Sequence, residues 1–507
     1  MLRTLPPFSD LRAFIAFLET KEAIKRIKEP VSIIHDMTEI HRRVLHAEGP
    51  ALLFEKPVKS DGTVSSIPVL VNLFGTVERI AWGLGIEPDK LGDVGEALSE
   101  LREPRPPQGV KDMWSKIPLA RAALKMRPKL ISAGKSRSVV LQDDAVDLGM
   151  LPVQTNWSQE PAPLITWGLV LTRPPDEEGV DAYNMGVYRM QVIGRDRLIM
   201  RWLAHRGGAK HHYQWSEQKQ DTPVAIVIGA DPATILTAVI PLPETLSELK
   251  FAGLFGERRP VLADCLTVPL KVPADAEIVI EGYVSHTETA PEGPYGDHTG
   301  YYNAVEQFPV MRVTAITTRE DPVYLSTYTG RPPDEPSRLG EALNEIFLPL
   351  AQRQFPEITD LWLPPEACSY RMAVIAIRKR YPGQARRLML GLWSMIPQLT
   401  YTKTLILVDD DIDVRSWEDV MWAVATRSDP SRDLVVINDT PIDYLDFASP
   451  KAGLGGKLGI DATMKIGTET DRVWGKVMAM DDDVVERVDA LWSKLDLAGV
   501  MRPNKKR

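Results

Sequence analysis

The chain is poor in cysteine, since its 507 residues contain two, Cys265 and Cys368. Two thiols cannot build a disulfide framework or a four-thiolate zinc site, and so few in so long a chain are typical of a reducing compartment. The opening residues, MLRTLPPFSD, lack the apolar core of a signal peptide. We therefore expect a cytoplasmic protein.

Long apolar runs and an excess of positive charge are also missing. The apolar stretch from Pro223 to Ile240 is interrupted by Asp231 and Pro232, so it predicts no membrane span. The formal net charge of -9 argues against whole-surface nucleic-acid binding, which requires a basic face. With 44% hydrophobic and 25% charged residues, a chain of this length is expected to form two or three globular domains.

One segment departs from this acidic average. Between Lys111 and Arg137, eight Lys or Arg residues stand against a single acid, Asp112. The apolar residues of this segment share one face of a predicted helix: Met113, Ile117, Ala120 and Leu124. Such a basic helix can lie on an anionic membrane, or it can dock on its own protein with a solvated basic face. A peripheral contact with the inner membrane therefore stays open.

The hydrophobic pattern indicates where helices and strands lie. After Ser9, a candidate N-cap, apolar residues recur at helical spacing up to Leu18, and short strands are predicted at 51–54 and 68–72. Residues 165–330 hold many short runs of Val, Ile, Thr and Tyr between turns, up to PVYLSTY at 322–328, which predict a β-barrel or sandwich-like domain.

The pattern changes near Glu345. Strand-like runs at 372–378, 403–411 and 433–439 alternate with helical stretches, which predicts βαβ units with a parallel sheet in a separate α/β domain.

The stretch PEGPYGDHTGYYN, residues 291–303, carries two acids, Glu292 and Asp297, around a Gly-Pro-Tyr-Gly turn. Gly293, Pro294 and Gly296 exclude a regular helix or a central strand, so the acids lie on a tight loop. Such a loop is either a solvated surface turn or a rigid mount for catalytic groups.

A second candidate cluster is YNMGVYRMQV, which holds Asn184 and Arg189. On a strand, positions five apart point to opposite faces, unless Gly186 marks a bulge that re-aims one of them. Arg189 can bind a carboxylate through two hydrogen bonds, and it can pair with Glu292 while Asp297 donates a proton.

A third candidate is HRGGAKHHYQW, at 205–215. The spacing of His205, His211 and His212 matches no strong zinc pattern. Arg206 with the glycines at 207 and 208 suits a turn that cradles a phosphate, although a plain structural turn explains the same residues.

Taken together, these stretches resemble the UbiD family of decarboxylases, and more narrowly its 4-hydroxy-3-polyprenylbenzoate branch, which acts in ubiquinone biosynthesis. The resemblance runs almost end to end and is carried by long, ordered strings: PALLFEKP, PLITWGL, LIMRWLAHRGGA, GADPATIL, PETLSE, EGYVSHTETAPEGPYGDHTGYYN, STYTGRPPDEP, LPPEACSYR and TPIDYLDFASP.

The resemblance implies a fold and a division into domains. It implies an α+β and α/β multidomain protein in which a flavin-reductase-like split β-barrel and a C-terminal α/β domain are joined by a helix. The expected divisions are an N-terminal α/β region, the barrel that binds the cofactor, the linker helix and the C-terminal domain: 1–120, 121–335, 336–357 and 358–507. It also implies assembly into a homohexamer.

The resemblance further implies prenylated FMN, supplied by a separate flavin prenyltransferase and bound with Mn²⁺ or another divalent metal, often accompanied by K⁺. Asn184 and Glu248 match the metal ligands, and their oxygens are hard donors that suit such a cation. The residues that match the cofactor-contact segments are Val187, Tyr188, Arg189, Arg201, Trp202, Leu203, Arg206 and Gly207.

Arg189, Glu292 and Asp297 match the catalytic trio of the family. By this resemblance Arg189 orients the departing carboxylate, Glu292 holds Arg189, and protonated Asp297 delivers the proton that replaces CO₂. We therefore expect the pKa of Asp297 to be raised, by burial or by a neighbouring carboxylate.

The implied function is the non-oxidative decarboxylation of 4-hydroxy-3-polyprenylbenzoate to the 2-polyprenylphenol. The same chemistry on another aromatic or heteroaromatic acid is the first alternative. A membrane-docked scaffold and an ordinary flavin oxidoreductase are the others, because a barrel alone does not fix a function.

Overall fold

The computed structural model describes residues 3–102, 109, 114, 117, 120, 122–203, 207–240, 247–368, 370–396, 399–492 and 494–495. Within the chain, one unit comprises Met1–Gln354 with Leu363–Tyr370, and a second comprises Phe355–Trp362 with Arg371–Arg507. The finer four-part division expected from the sequence stays a prediction.

The strands and helices are numbered in chain order. The strands of the first unit are β1 (Ile24–Ile27), β2 (Val31–Ser32), β3 (Ala51–Phe54), β4 (Pro57–Val58), β5 (Val69–Val71), β6 (Lys129–Ile131), β7 (Val139–Gln142), β8 (Leu164–Thr172), β9 (Asn184–Val192), β10 (Arg197–Met200), β11 (Thr222–Ile228), β12 (Val261–Asp264), β13 (Lys271–Pro273), β14 (Ile278–Glu292), β15 (Glu306–Thr318) and β16 (Tyr324–Leu325). Those of the second unit are β17 (Ile358–Trp362), β18 (Met372–Ile377), β19 (Thr404–Asp409), β20 (Leu434–Pro441) and β21 (Leu454–Ala462). The helices are α1 (Leu11–Thr20), α2 (Asp36–His46), α3 (Val77–Leu84), α4 (Leu91–Arg102), α5 (Gly207–Glu217), α6 (Pro232–Thr237), α7 (Glu248–Gly256), α8 (Glu335–Gln354), α9 (Gln384–Met395), α10 (Trp417–Arg427), α11 (Pro430–Asp433) and α12 (Asp482–Trp492).

The N-terminal helix α1 buries the apolar stripe that its spacing predicts, from Leu11 to Leu18. Its N-cap is Asp10 rather than Ser9, because the Asp10 carboxylate accepts the backbone N–H of Ala13 at 2.9 Å. The predicted strands at 51–54 and 68–72 are confirmed as β3 and β5. They belong to a four-stranded sheet with the order β1-β3-β5-β16.

The centre of the first unit is a closed barrel of six antiparallel strands, in the order β10-β9-β8-β11-β14-β15, and the pairing of β10 with β15 closes it. Closure removes the free edges that an open sheet of this size exposes. The predicted β-rich region is thus confirmed as a barrel. One run differs: PVYLSTY supplies β16, which pairs with β5 outside the barrel. Tyr324 and Leu325 are fully buried, and a buried strand has the same apolar pattern in the barrel as in the four-stranded sheet. The sequence pattern therefore could not show to which sheet this strand belongs.

The second unit is an α/β domain built on the sheet β17-β18-β19-β21-β20. Its three central strands, β18, β19 and β21, are parallel, as βαβ units require. The edge strand β20 runs antiparallel to β21, so the parallel direction expected for 433–439 was wrong. The cause is β21, which the sequence pattern did not reveal and which inserts between β19 and β20.

The predicted basic helix lies largely outside the described residues, which lack Lys111, Lys116 and Arg121. Its C-terminal part is not helical, because Lys129–Ile131 form β6 directly after Pro128 and pair with β12. Among the described residues, no helix combines the length and the apolar character needed to cross a bilayer.

Candidate active site

Strand β9 carries the candidate residues on its two opposite faces. Its pairing with β8 keeps regular register from Asn184 to Tyr188, and the extra residue of the register shift lies in β8, between Ile165 and Gly168. Gly186 therefore marks no bulge, and Asn184 and Arg189 point to opposite sides of the strand. The predicted catalytic residues around Arg189 and the predicted metal ligands around Asn184 accordingly form two separate clusters.

The first cluster is built around the guanidinium of Arg189. Its Nε and Nη2 donate to the two carboxylate oxygens of Glu292 at 2.9 and 3.2 Å, and its Nη1 donates to Asp297 Oδ2 at 2.9 Å. A further bond runs from Nη2 to Asn303 Oδ1 at 2.8 Å, and the guanidinium lies 5.4 Å from the ring centre of Tyr295. The structure thus brings the predicted trio together in one network.

The acid-bearing loop is fixed by its own hydrogen bonds. Glu292 is the last residue of β14. The backbone N–H of the next residue, Gly293, donates to Gln191 Oε1 at 3.0 Å, and Gln191 lies on the same face of β9 as Arg189. Gly293 has a φ of 92°, a conformation that favours glycine. Asn303 Oδ1 also accepts the Tyr295 N–H at 2.9 Å. The loop therefore holds its acids at defined positions instead of forming a solvated surface turn.

Glu292 is fully buried, and a second guanidinium shares it. Arg201 Nη1 donates to Glu292 Oε2 at 2.8 Å, and the Arg201 guanidinium lies 5.2 Å from the ring centre of Phe308. The two guanidiniums share one buried carboxylate, so removing any of the three groups would leave a buried charge without its partner. Arg201, predicted as a cofactor contact, is thus also part of the acid network.

The ionisation of Asp297 differs from the expectation. Burial alone raises the pKa of its carboxyl, but the hydrogen bond from His298 and the charge of Arg189 outweigh burial and lower the pKa to about 2. The raised pKa expected for a proton donor was therefore wrong for this arrangement of the loop. Asp297 is a carboxylate as long as Arg189 and His298 both hold it.

A third acid, Glu160, lies close to this network. Its Oε2 accepts the Asn156 N–H at 2.6 Å, and burial raises its pKa to about 6 despite the backbone N–H donors around it and the charge of Arg189. Because its donors include the N–H of Gly296, Glu160 ties the 156–160 segment to the acid-bearing loop.

The second cluster lies on the other face of β9, at the start of helix α5. Tyr188 accepts the N–H of Gly208 through its hydroxyl at 3.1 Å. A Cβ at Gly207 would stand 1.9 Å from Asn184 Oδ1, and a Cβ at Gly208 would stand 2.8 Å from Trp202 Nε1. Both glycines are therefore required for the close approach of β9 and Trp202 to the helix N-terminus.

The two predicted metal ligands are neighbours in this second cluster. Glu248, at the start of α7, accepts the N–H of Met185 at 3.0 Å, which places its carboxylate beside Asn184. Burial raises the pKa of Glu248. The Nδ2 atom of Asn184 and the Nε1 atom of Trp202 are buried without a hydrogen-bond partner in the described part of the chain.

These features fit the binding of a phosphate with a divalent cation. A desolvated carboxylate and a carboxamide supply oxygen ligands, and the N-terminus of α5 favours a nearby anion. The described residues contain no group of three His, Cys, Asp or Glu side chains that could hold a metal unaided.

The remaining predicted residues are placed as follows. Val187 and Leu203 are half-buried, and Val187 packs against the core. His211 and His212 bond to Thr172 and Thr222 through their Nδ1 atoms at 2.9 and 2.8 Å, and burial lowers the pKa of each to about 4. The two histidines are thus neutral and anchor α5. Arg206 and His205 lie outside the described residues.

Several features of the site were not predicted from the sequence: Glu160, Gln191, Asn303 and the contact of Arg201 with Glu292. Gln191 could have been found, because it lies two positions from Arg189 and so shares its strand face. Asn303 closes the same short motif as Glu292, and its amide is the type of group that bridges a guanidinium and a backbone N–H.

Three models of one family match this chain: the 3-octaprenyl-4-hydroxybenzoate carboxy-lyase N-terminal domain at residues 15–98, the Rift-related domain at 129–332 and the C-terminal domain at 337–462. Together they span most of the chain and include every residue of both clusters.

Solved structures show the same fold. The UbiD-class enzyme HmfF from Pelotomaculum thermopropionicum, in complex with FMN, is 27% identical with a TM-score of 0.77, over 95% of this chain and 99% of that one. Vanillic acid decarboxylase from Sedimentibacter hydroxybenzoicus is 25% identical with a TM-score of 0.81, over 96% and 99%. The 3,4-dihydroxybenzoic acid decarboxylase from Enterobacter cloacae, at 23% identity, shares the fold with a TM-score of 0.74 over 95% and 99%.

Proposed function

Because the chain belongs to the UbiD family of carboxy-lyases, we propose that it removes CO₂ from 4-hydroxy-3-polyprenylbenzoate and releases the 2-polyprenylphenol in ubiquinone biosynthesis. The observation that carries this proposal is the buried network in which Arg189 contacts Glu292 and Asp297 at 2.9 Å each. An arginine between two acids offers a carboxylate-binding group and a proton-transfer group at one place.

The roles of the three side chains follow from their contacts. Glu292 binds two edges of the Arg189 guanidinium and so fixes its orientation. The Nη1 atom, which contacts Asp297 at 2.9 Å, is the group that a substrate carboxylate takes over. Asp297 then loses one of the groups that lower its pKa, while the hydrogen bond from His298 remains, so the pKa of Asp297 rises from its value in the ion pair. Substrate binding thus makes Asp297 easier to protonate, as its proposed role as proton donor requires.

The cofactor proposed is prenylated FMN, made by a separate flavin prenyltransferase; when bound, it supplies the electron sink that decarboxylation needs. Related structures support it, because HmfF is described in complex with FMN and, in an evolved dimeric form, with prenylated FMN. In this chain Asn184 and Glu248 would hold Mn²⁺ or another divalent metal, and Tyr188, Trp202 and Gly207 would line the phosphate end. Accompanying K⁺ and a homohexamer are part of the same proposal.

The substrate is the least constrained part of the proposal. A relative named for vanillic acid acts on an aromatic acid without a prenyl tail. The same decarboxylation of another aromatic or heteroaromatic acid is therefore the second candidate. Assaying CO₂ release from a panel of prenylated and unprenylated 4-hydroxybenzoates and heteroaromatic acids separates the two candidates.

The test uses protein co-expressed with a flavin prenyltransferase. We expect an altered flavin spectrum and CO₂ release, and we expect Glu292→Gln and Asp297→Asn to abolish release while the flavin stays bound. Glu281→Gln is the matched control, because Glu281 is equally buried on the same strand but bonds to Leu266 and Thr267. A competently matured protein without flavin, or full activity in both site variants, contradicts the proposal.

Contact with a membrane also stays a proposal. Co-sedimentation with anionic liposomes, before and after neutralising Lys116, Arg121 and Lys125, tests it. Equal sedimentation of both proteins contradicts the docking role of this segment.

A further inference from the structure

Two guanidiniums share the buried carboxylate of Glu292. Arg201 Nη1 donates to Glu292 Oε2 at 2.8 Å, and Arg189 Nη2 donates to the same oxygen at the longer distance of 3.2 Å. The Arg201 side chain is 6% exposed and that of Glu292 is fully buried, so water and salt screen this contact little. Arg201 therefore compensates the charge of Glu292 at least as directly as Arg189 does.

The backbone aims the side chain of Arg201 at the acids. Arg201 follows the last residue of β10, and its N–H donates to the carbonyl of Arg189 at 3.4 Å. Its guanidinium lies 5.2 Å from the ring centre of Phe308 in β15. The next residue, Trp202, instead places its ring nitrogen beside Gly208 in the second cluster. Arg201 thus contacts the acid network, while its neighbour contacts the other cluster.

Acids outnumber the guanidiniums around Arg189 in the described part of the chain. Glu306 is the cross-strand partner of Glu292, and its Oε2 lies 4.0 Å from Arg201 Nη2. The two guanidiniums of Arg189 and Arg201 face four acids: Glu160, Glu292, Asp297 and Glu306. An anionic substrate therefore meets a site rich in negative charge, and its affinity depends on how much of the charge of Arg189 these acids leave uncompensated.

We propose that Arg201 is a positioning residue: by compensating Glu292, it leaves the guanidinium of Arg189 available to bind the carboxylate of an aromatic acid. The inference rests on the proposed decarboxylation, in which that carboxylate takes over the Nη1 atom of Arg189. Arg201 acts through Glu292 and needs no contact with the substrate. It sets how strongly the site attracts an anion, and Glu292 sets the orientation of the group that binds it.

The effect concerns binding more than the chemical step. Only Glu292 and the guanidinium of Arg189 separate Arg201 from a carboxylate on Arg189 Nη1, so the two charges would lie within about 10 Å of each other, and the attraction between partly buried charges at that distance changes an affinity by about tenfold. This attraction exists before the bond to CO₂ breaks. Its loss should therefore raise KM and leave kcat little changed.

Paired variants separate charge from packing. Arg201→Gln keeps an N–H donor for Glu292 but removes the charge, whereas Arg201→Lys keeps the charge. Arg319→Gln is the matched control, because Glu277, at the opposite end of β14, is equally buried and is likewise shared by two arginines. Arg12 donates to Glu277 at 3.0 Å, and Arg319 donates to it at 3.3 Å.

In loaded enzyme, we expect Arg201→Gln to raise KM for the aromatic acid by about tenfold with kcat little changed, and Arg201→Lys and Arg319→Gln to match wild type. Calorimetric titration of the full chain, loaded with FMN and Mn²⁺, should give the same ranking for the affinity of benzoate without turnover. Wild-type affinity in Arg201→Gln, or an equal loss in Arg201→Lys or Arg319→Gln, overturns the inference.

A further variant reverses the sign and removes no buried cation. The side chain of Glu306 is 33% exposed and adds negative charge beside Arg201, so Glu306→Gln should bind benzoate about twofold more tightly than wild type. Unchanged or weaker binding contradicts the inference, whether or not Arg201→Gln folds. If wild-type loaded enzyme releases no CO₂, the proposed function fails, whereas the benzoate titrations still test Arg201. Absence of benzoate binding by wild type overturns the inference itself.

Discussion

The substitution Gly207→Ala tests the second cluster with one added carbon. The new Cβ would stand 1.9 Å from Asn184 Oδ1 and 2.6 Å from Asn184 Cγ, whereas ordinary contacts begin at 3.4 Å. The Asn184 amide must therefore move by about 1.5 Å, because overlap at that distance is prohibitive. The overlapped atoms are the end of a flexible side chain, and Asn184 Nδ2 has no hydrogen-bond partner among the described residues, so the cost to folding lies at the low end of overpacking, about 1 kcal/mol.

The consequence for binding is larger than the consequence for folding. If Asn184 is a metal ligand, its displacement should lower the affinity for Mn²⁺ with FMN by at least about tenfold. Losing a residue that only hydrogen-bonds to a metal ligand already costs about that much. Tenfold weaker binding removes about 1.4 kcal/mol of ligand stabilisation. Calorimetric titration of FMN with Mn²⁺ and thermal unfolding with and without both ligands measure the two effects.

Gly92→Ala is the control for Gly207→Ala. Gly92 also lies in the first turn of a helix, α4, but nothing stands within 4 Å of its added Cβ, so this change should stabilise the helix by about 0.5–1 kcal/mol and leave binding unchanged. Wild-type affinity of Gly207→Ala for FMN and Mn²⁺ would refute the assignment of Asn184.

Three further predictions concern buried charges. Glu292→Gln should lower the free energy of unfolding by about 3 kcal/mol in denaturant titrations, because Arg189 and Arg201 lose a shared buried carboxylate; an unchanged midpoint contradicts this. Asp297, whose pKa falls to about 2 on folding, should contribute about 2–3 kcal/mol above pH 4 that is lost as the pH falls towards 2, and Asp297→Asn should lack this pH dependence. Glu335, whose pKa burial raises to about 7, should destabilise the fold increasingly as the pH rises from 4.5 to 7, so Glu335→Gln should gain on wild type by about 3 kcal/mol over that range. Glu341→Gln on the same helix is the control for Glu335→Gln. If the difference in free energy of unfolding between Glu335→Gln and wild type stays constant with pH, the proposed effect of burial on Glu335 is excluded.

The barrel was predictable because it depends on local pattern. Runs of alternating or continuous apolar residues identify β8, β9, β11, β14 and β15 without reference to their partners. The position of β16 and the direction of β20 depend instead on which strand lies beside them. That choice is made by tertiary packing between segments far apart in the chain, which no local pattern records.

The site was predictable to the extent that its residues lie in short motifs. The glycines and proline of the 291–303 loop fix the backbone, so Glu292 and Asp297 had to remain close to one another. The direction of the pKa shift of Asp297 was not predictable from the sequence. It depends on the orientation of the His298 ring and on contact with an arginine 108 positions away. The contact of Arg201 with Glu292 joins residues 91 positions apart and is likewise invisible in sequence.

The spacing of residues along strand β9 determines which side of the strand each cluster occupies. Asn184 and Arg189 project to opposite sides because an odd number of steps separates them on an unbroken strand. Inserting or deleting one residue between them would turn one cluster away from its partners while leaving the other in place. The segment from 184 to 189 therefore carries a constraint on its length in addition to the constraint on its side chains.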